Sequence, residues 1–200
     1  MGRTDTLLSA TLGDEGLLRK ALLVLGGTIL IALAARTSVP MFPVPMTLQT
    51  LAILAVGFTF GSRLGAITLI AYLAEGAAGL PVFSPTTAMG PAAFFGPTGG
   101  FLIGFVFMAW AAGWAAERGI ARGFVGTALA GIVISALLYI PGLAWPMGLA
   151  SAVGVEAGWA GQGLGFYWTH FVSGFLIGDA VKAVLAALIV TGGWAALSRR

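Results

Sequence analysis

The sequence predicts an all-α integral membrane protein: one bundle of six transmembrane helices with both termini cytoplasmic and long outer loops capping a pocket. Three observations carry this. Mean hydropathy is +0.99, and only 8% of the 200 residues are charged, whereas soluble domains carry about 25%. The apolar residues gather into runs close to the ~20 residues that a helix needs to cross a bilayer. The basic residues also segregate. With the N-terminus inside, Arg3, Arg19, Lys20, Arg63, Arg118, Arg122, Arg199 and Arg200 fall on the cytoplasmic side, Arg36 alone falls outside, and Lys182 lies within a helix. Such an excess of Lys and Arg marks cytoplasmic loops.

Residues 1–16 read as a short cytoplasmic leader and residues 17–200 as a single six-helix membrane domain. The leader mixes Arg3, Asp5, Asp14 and Glu15 and lacks the compact apolar core of a secretory signal. The first helix is expected from Leu17 to Ala35. The second, Thr47 to Phe60, is short and follows Pro40, Pro43 and Pro45; Thr47 suits its N-cap. The third runs from Leu64 to Leu80, and the fourth from Phe101 to Ala116, where Glu117-Arg118-Gly119 stops it. The fifth is expected from Phe124 to Ile140, stopped by Pro141-Gly142. The sixth spans Gly178 to Leu197, with Gly165 to Ile177 before it as a separate short helix or an extension. The outer connections, Thr37–Met46, Pro81–Gly100 and Pro141–Gly163, are long, rich in Gly, Pro and aromatics, and uncharged except for Glu156. Irregular backbone survives near a membrane only when buried in protein or lining a cavity, so these loops are expected to fold over a pocket.

The composition excludes several functions. There is no cysteine, hence no disulfide, thiolate metal site or cysteine nucleophile. His170 is the single histidine and cannot build a His-rich metal centre. No Gly-Lys-Ser/Thr phosphate loop exists, so the chain has no Walker-type ATP site of its own. No basic-aromatic stretch suggests nucleic acid. Neither a catalytic set nor a metal or cofactor is expected, and the chain is read as no enzyme.

Asp179 and Lys182, in Gly178-Asp179-Ala180-Val181-Lys182, are the most informative residues. A charge at mid-bilayer costs about 2.5–3.5 kcal/mol on insertion scales, so charges in spanning helices are rare and mark functional paths. Three residues apart, the two share one helical face; a mutual ion pair is the plain alternative. Gln49, in the first turn of the second helix, offers an amide that donates and accepts. Thr98 could cap the fourth helix. Gly99 and Gly100 let backbone approach a ligand or a neighbouring helix. Glu75 is the other intramembrane acid; pairing with Arg36 or Lys182 and a position near an interface are the alternatives. Trp145, Trp159, Phe166, Tyr167 and Trp168 read as an outer interfacial belt, one or two of them free to stack on a bound ring. Thr28 and Ala32 form a small-xxx-small pair, a docking face for another membrane helix.

Four segments occur in a fixed order: the Pro-rich stretch ending Thr47-Leu48-Gln49-Thr50-Leu51, then Gly79-Leu80-Pro81-Val82-Phe83, Gly96-Pro97-Thr98-Gly99-Gly100-Phe101, and Gly178-Asp179-Ala180-Val181-Lys182-Ala183. Together they resemble the BioY family, the biotin-specific substrate-binding component of energy-coupling-factor transporters. The likeness runs from the first helix to the last. It implies a six-helix bundle in the cytoplasmic (inner) membrane that holds biotin with high affinity near the outer face. It also implies docking on a transmembrane coupling protein and two cytoplasmic ATPases, with toppling in the membrane to present the site inward. Some family members work without those partners. Self-association into a homo-oligomer is left open. The resemblance carries the family's site residues to Asp179 and Lys182, and the expected substrate-binding set is completed by Gln49, Thr98, Gly99, Gly100, Phe83 and Tyr72. The chain departs from the family pattern at Glu75, at Phe101 where Tyr is common, and at Thr28/Ala32, which only approximate the first-helix docking motif. The alternative is a carrier or channel for another small solute working without ATPase partners; it predicts weak biotin binding and transport driven by an ion gradient.

Overall fold

The computed structural model describes Thr6 and residues 16–198. Most of the expected leader, and Arg199 and Arg200, lie outside the described residues. Six helices of twelve or more residues account for most of the fold: α1 Leu17–Arg36, α2 Gln49–Phe60, α3 Ser62–Ala77, α4 Gly99–Glu117, α5 Phe124–Ala144 and α6 Leu176–Ser198. With their short continuations, α1, α4, α5 and α6 belong to four segments long and apolar enough to cross a membrane. The chain is an integral membrane protein. The helices α2 and α3, with 12 and 16 residues, are short for a span of ~20.

The helices α2, α4, α5 and α6 form a closed ring, with α2 against α4 and α6, and α5 against both α4 and α6. The helix α1 stands outside it, packed on α2 and α3. Small residues bring the ring together: a Cβ on Gly57 of α2 would lie 2.6 Å from the Ala109 carbonyl and 2.7 Å from the Ala112 Cβ of α4. Such approach lets van der Waals contact replace the hydrophobic drive that lipid removes. At one end of the ring lie Arg63, Glu117 and Arg118; at the other lie the long loops.

The structure revises several expectations. The fifth helix does not stop at Pro141. It continues to Ala144 and on through a π-helical turn, Trp145–Leu149, into Ala150–Ala152. Proline removes one donor, but the helix re-forms beyond it, the Trp145 N–H bonding the Pro141 carbonyl; such breaks are tolerated where neighbouring groups re-satisfy the backbone. The run before the last helix is likewise helical in pieces, Leu164–Tyr167 and then a π turn, Trp168–Ser173. Thr28 is not on an outward docking face. It is buried at 1% exposure, its hydroxyl donates to the Leu25 carbonyl, and the adjacent Gly27 meets Thr68 of α3; α1 turns Gly27, Thr28, Ile31 and Ala35 inward and Leu22, Leu25, Ile29 and Leu33 outward. Glu75 pairs with neither expected base: the Arg36 Nη2 donates to the Pro81 carbonyl at 2.8 Å, and Lys182 pairs with Asp179.

The loops form a cap with its own small core. After α1 the chain makes a two-stranded antiparallel hairpin, Ser38–Val39 with Met46–Thr47. Its Val44 packs with Tyr167, Phe171, Val172 and Phe175. Tyr167 ties the cap together, its hydroxyl donating to the Pro146 carbonyl at 2.6 Å and accepting from the Gln162 N–H at 2.9 Å. Trp145 donates to the Gly96 carbonyl at 2.9 Å. His170 stacks on Phe166 at 4.3 Å between ring centroids. Much of the expected aromatic belt is therefore loop scaffold.

Candidate functional site

A pocket opens at the loop end of the α2–α4–α5–α6 ring. Each ring helix contributes: Gln49 and Thr50 from α2, Phe101, Leu102 and Phe105 from α4, Leu138 and Tyr139 from α5, Asp179 and Lys182 from α6. Loop residues close the remainder, with Val44 and Pro45 from the hairpin and Phe83, Ser84 and Thr87 from the α3–α4 connection.

Asp179 lies in the first turn of α6, where the helix dipole favours an anion. Lys182 follows one turn later. Its Nζ stands 2.7 Å from Asp179 Oδ1, with side-chain exposures of 8% and 15% for Lys182 and Asp179, so the pair is largely removed from water. Burial of two charges requires that both be paired and hydrogen-bonded, and the structure supplies the bonds. The Tyr139 hydroxyl donates to Asp179 Oδ2 at 2.6 Å, and Lys182 also donates to the Thr47 carbonyl at 3.2 Å.

That carbonyl is available because of how α2 begins. Thr47 ends the hairpin strand instead of starting the helix. Its hydroxyl still accepts from the Gln49 N–H at 3.2 Å, so it meets the helix start's unsatisfied donor from one residue further out than expected. The Gln49 amide donates to the Tyr72 hydroxyl at 2.8 Å, and Tyr72 in turn donates to the Val82 carbonyl at 2.9 Å. The ring of Phe83 stands edge-on to Tyr72 at 5.4 Å and to Phe94 at 6.1 Å. The far end of that ring reaches Gly76, where any Cβ would strike it.

The profile of the BioY family matches residues 5–199. The chain belongs to the BioY family. Among its BioY relatives, the biotin transporter BioY of Rhizobium etli is 35% identical over 76% of this chain and 79% of that one. The probable biotin transporter BioY of Pyrococcus horikoshii is 34% identical over 80% and 86%, and the biotin transporter BioY of Rhodobacter capsulatus 34% identical over 84% and 88%. The fold matches a crystal structure of the S-component for biotin from an ECF-type ABC transporter, with a TM-score of 0.71 and 24% identity over 90% of this chain and 94% of that one. These relatives are transporters, none an enzyme, and the chain stands with them.

Within this BioY-family pocket the sequence-expected residues divide. Asp179, Lys182, Gln49, Thr98 and Phe83 line it. Tyr72, Gly99 and Gly100 do not. Tyr72 is fully buried behind Gln49, orienting that amide instead of facing the cavity. Gly99 and Gly100 admit other backbone: a Cβ on Gly99 would strike the Phe94 carbonyl, and one on Gly100 the Pro141 carbonyl. Thr98 occupies the N-cap position of α4 but makes no side-chain cap bond, which leaves its hydroxyl to the pocket. Sequence reasoning missed Tyr139, the Thr47 carbonyl, Ser84 and Thr87, and the aromatic wall of Phe101, Phe105, Phe171 and Phe175. It also missed Thr50, whose buried hydroxyl has no hydrogen-bond partner among the described residues.

The arrangement gathers polar groups on one side of a mostly apolar pocket. One wall offers an anion, a cation, a carbonyl and a hydroxyl within a few ångströms; the others are aromatic or aliphatic. A ligand with adjacent donors and acceptors on an apolar body would satisfy the first and be desolvated by the second.

Proposed function

We propose that the chain binds biotin with high affinity and is the substrate-specific component for its uptake across the cytoplasmic membrane. In this reading all six helices cross, the termini and the Arg63–Arg118 end are cytoplasmic, and the pocket opens outward beneath the loops. Translocation proceeds by reorientation on a transmembrane coupling protein driven by two cytoplasmic ATPases.

One observation carries the ligand: a largely buried, hydrogen-bonded Asp179–Lys182 pair on one wall of a pocket otherwise rich in apolar and aromatic side chains in a chain of the BioY family. The ureido ring of biotin has two N–H donors flanking one carbonyl acceptor. Asp179 accepts from a ureido N–H and Lys182 donates to the ureido carbonyl, with Thr50, Gln49 and Thr98 supplying neutral bonds. Phe101, Phe105, Phe171 and Phe175 cover the sulfur-containing ring.

Calorimetry of the purified chain with biotin and desthiobiotin tests the reading. Desthiobiotin keeps the ureido ring and tail and lacks the sulfur ring. One-to-one binding of both is expected, with biotin tighter because it buries more apolar surface. Absence of heat with biotin, under conditions where the chain remains folded, would reject it.

A further inference from the structure

Two cavities share lining residues at the loop end. The pocket that holds Asp179 and Lys182 shares Phe83, Ser84 and Thr87 with a second, smaller cleft, and that cleft is walled on its other side by Pro81 and Arg36. Arg36 is the last residue of α1. Its Nη2 donates to the Pro81 carbonyl at 2.8 Å, an exposed contact that holds the guanidinium against the α3–α4 connection. A guanidinium carries five N–H donors in a rigid fork, so this bond leaves four.

The charge balance of the main pocket decides what Arg36 is for. Asp179 already matches the charge of Lys182, whose Nζ also donates to the Thr47 carbonyl. A ligand carboxylate brought into that buried pair would leave one anion uncompensated, or would have to displace Asp179 from Lys182; both outcomes carry the penalty of an unpaired buried charge. A carboxylate beside Arg36 remains near water and meets a planar, bidentate partner suited to it. Phe83, Ser84 and Thr87 border both cavities and offer an apolar ring with two hydroxyls beside it.

We propose that Arg36 anchors the carboxylate of the ligand and that Asp179 and Lys182 read its polar ring alone. The site then selects a class: a neutral, hydrogen-bonding ring joined through an apolar chain to an anion. This inference rests on the biotin reading and divides its contacts between two cavities.

The test is calorimetry of the full chain and of Arg36→Gln, each titrated with biotin and with biotin methyl ester, which lacks the charge. The wild type should prefer biotin by about tenfold, the scale of one hydrogen-bonded charge pair, and raising the ionic strength should narrow that preference. Arg36→Gln should bind biotin as weakly as the wild type binds the ester, while its affinity for the ester stays unchanged, which shows that the ring site is intact. Equal affinity of the wild type for acid and ester would overturn the inference, as would an undiminished preference in Arg36→Gln; either leaves the biotin reading standing. Failure of the wild type to bind biotin at all would overturn both.

Discussion

Asp179 is held from two sides, by Lys182 on one carboxylate oxygen and by the Tyr139 hydroxyl on the other. The two donors come from different helices, so the direction of the carboxylate depends on how α5 packs against α6. Tyr139 is itself placed by Phe101 of α4, whose ring meets it edge-on at 6.1 Å. Tyr139→Phe keeps that ring contact and removes the donor. Calorimetry with biotin should show about tenfold weaker binding, since bonds to charged groups are worth roughly 1.5–3 kcal/mol; unchanged affinity would mean that Lys182 alone orients Asp179. At this scale Asp179, Lys182 and Gln49 were legible in the sequence because charge and amide groups inside apolar runs are costly and thus conspicuous. Tyr139 was not. Tyrosine is common at membrane interfaces, and its partner lies forty residues away in the chain, a proximity that only packing creates. Gly99 and Gly100 carried two readings from the start, close approach of ligand or of helix; the Pro141 carbonyl of α5 lies beside Gly100 and the Phe94 carbonyl of the loop beside Gly99.

At the scale of elements, the end opposite the pocket is fixed by one acid. Glu117, at the last position of α4, receives the Ser62 N–H at 2.7 Å and the Ser62 hydroxyl at 2.8 Å on the same oxygen. It thereby caps α3 from another helix and closes the turn between α2 and α3. Glu117→Ala removes both bonds and an anion from a helix N-terminus, a loss of about 1–2 kcal/mol. A lower thermal midpoint in detergent with biotin affinity retained is the expected result; an unshifted midpoint would show that the turn holds without it. Most helix boundaries were readable within a few residues from apolar length and charged stops. The exception was α5, because the rule that proline ends a helix comes from helices in water, and in a membrane bundle the chain gains more by resuming its internal bonds.

At the scale of the whole molecule, the bundle divides into a basic end and a loop end, and transport depends on which faces out. The absence of cysteine makes this directly measurable. Glu156 and Arg63 are both exposed and lie at opposite ends. A membrane-impermeant maleimide applied to intact cells should label Glu156→Cys and leave Arg63→Cys unlabelled until the membrane is broken; the reverse pattern would invert the orientation. The class of fold was legible because hydropathy, charge scarcity and the bias of Lys and Arg agree. The pocket's aromatic wall was not, since Phe171 and Phe175 come from the π turn and the residues just after it, where no simple periodicity tells which face a side chain takes. In the biotin reading, the pair on α6 recognises the ligand instead of merely neutralising itself. Calorimetry of Asp179→Asn and Lys182→Ala with biotin, beside the wild type, tests it most directly. Each variant should bind at least about tenfold more weakly, because truncating one partner of a buried charge pair costs about 2–5 kcal/mol, while remaining folded; wild-type affinity in either folded variant would contradict the account.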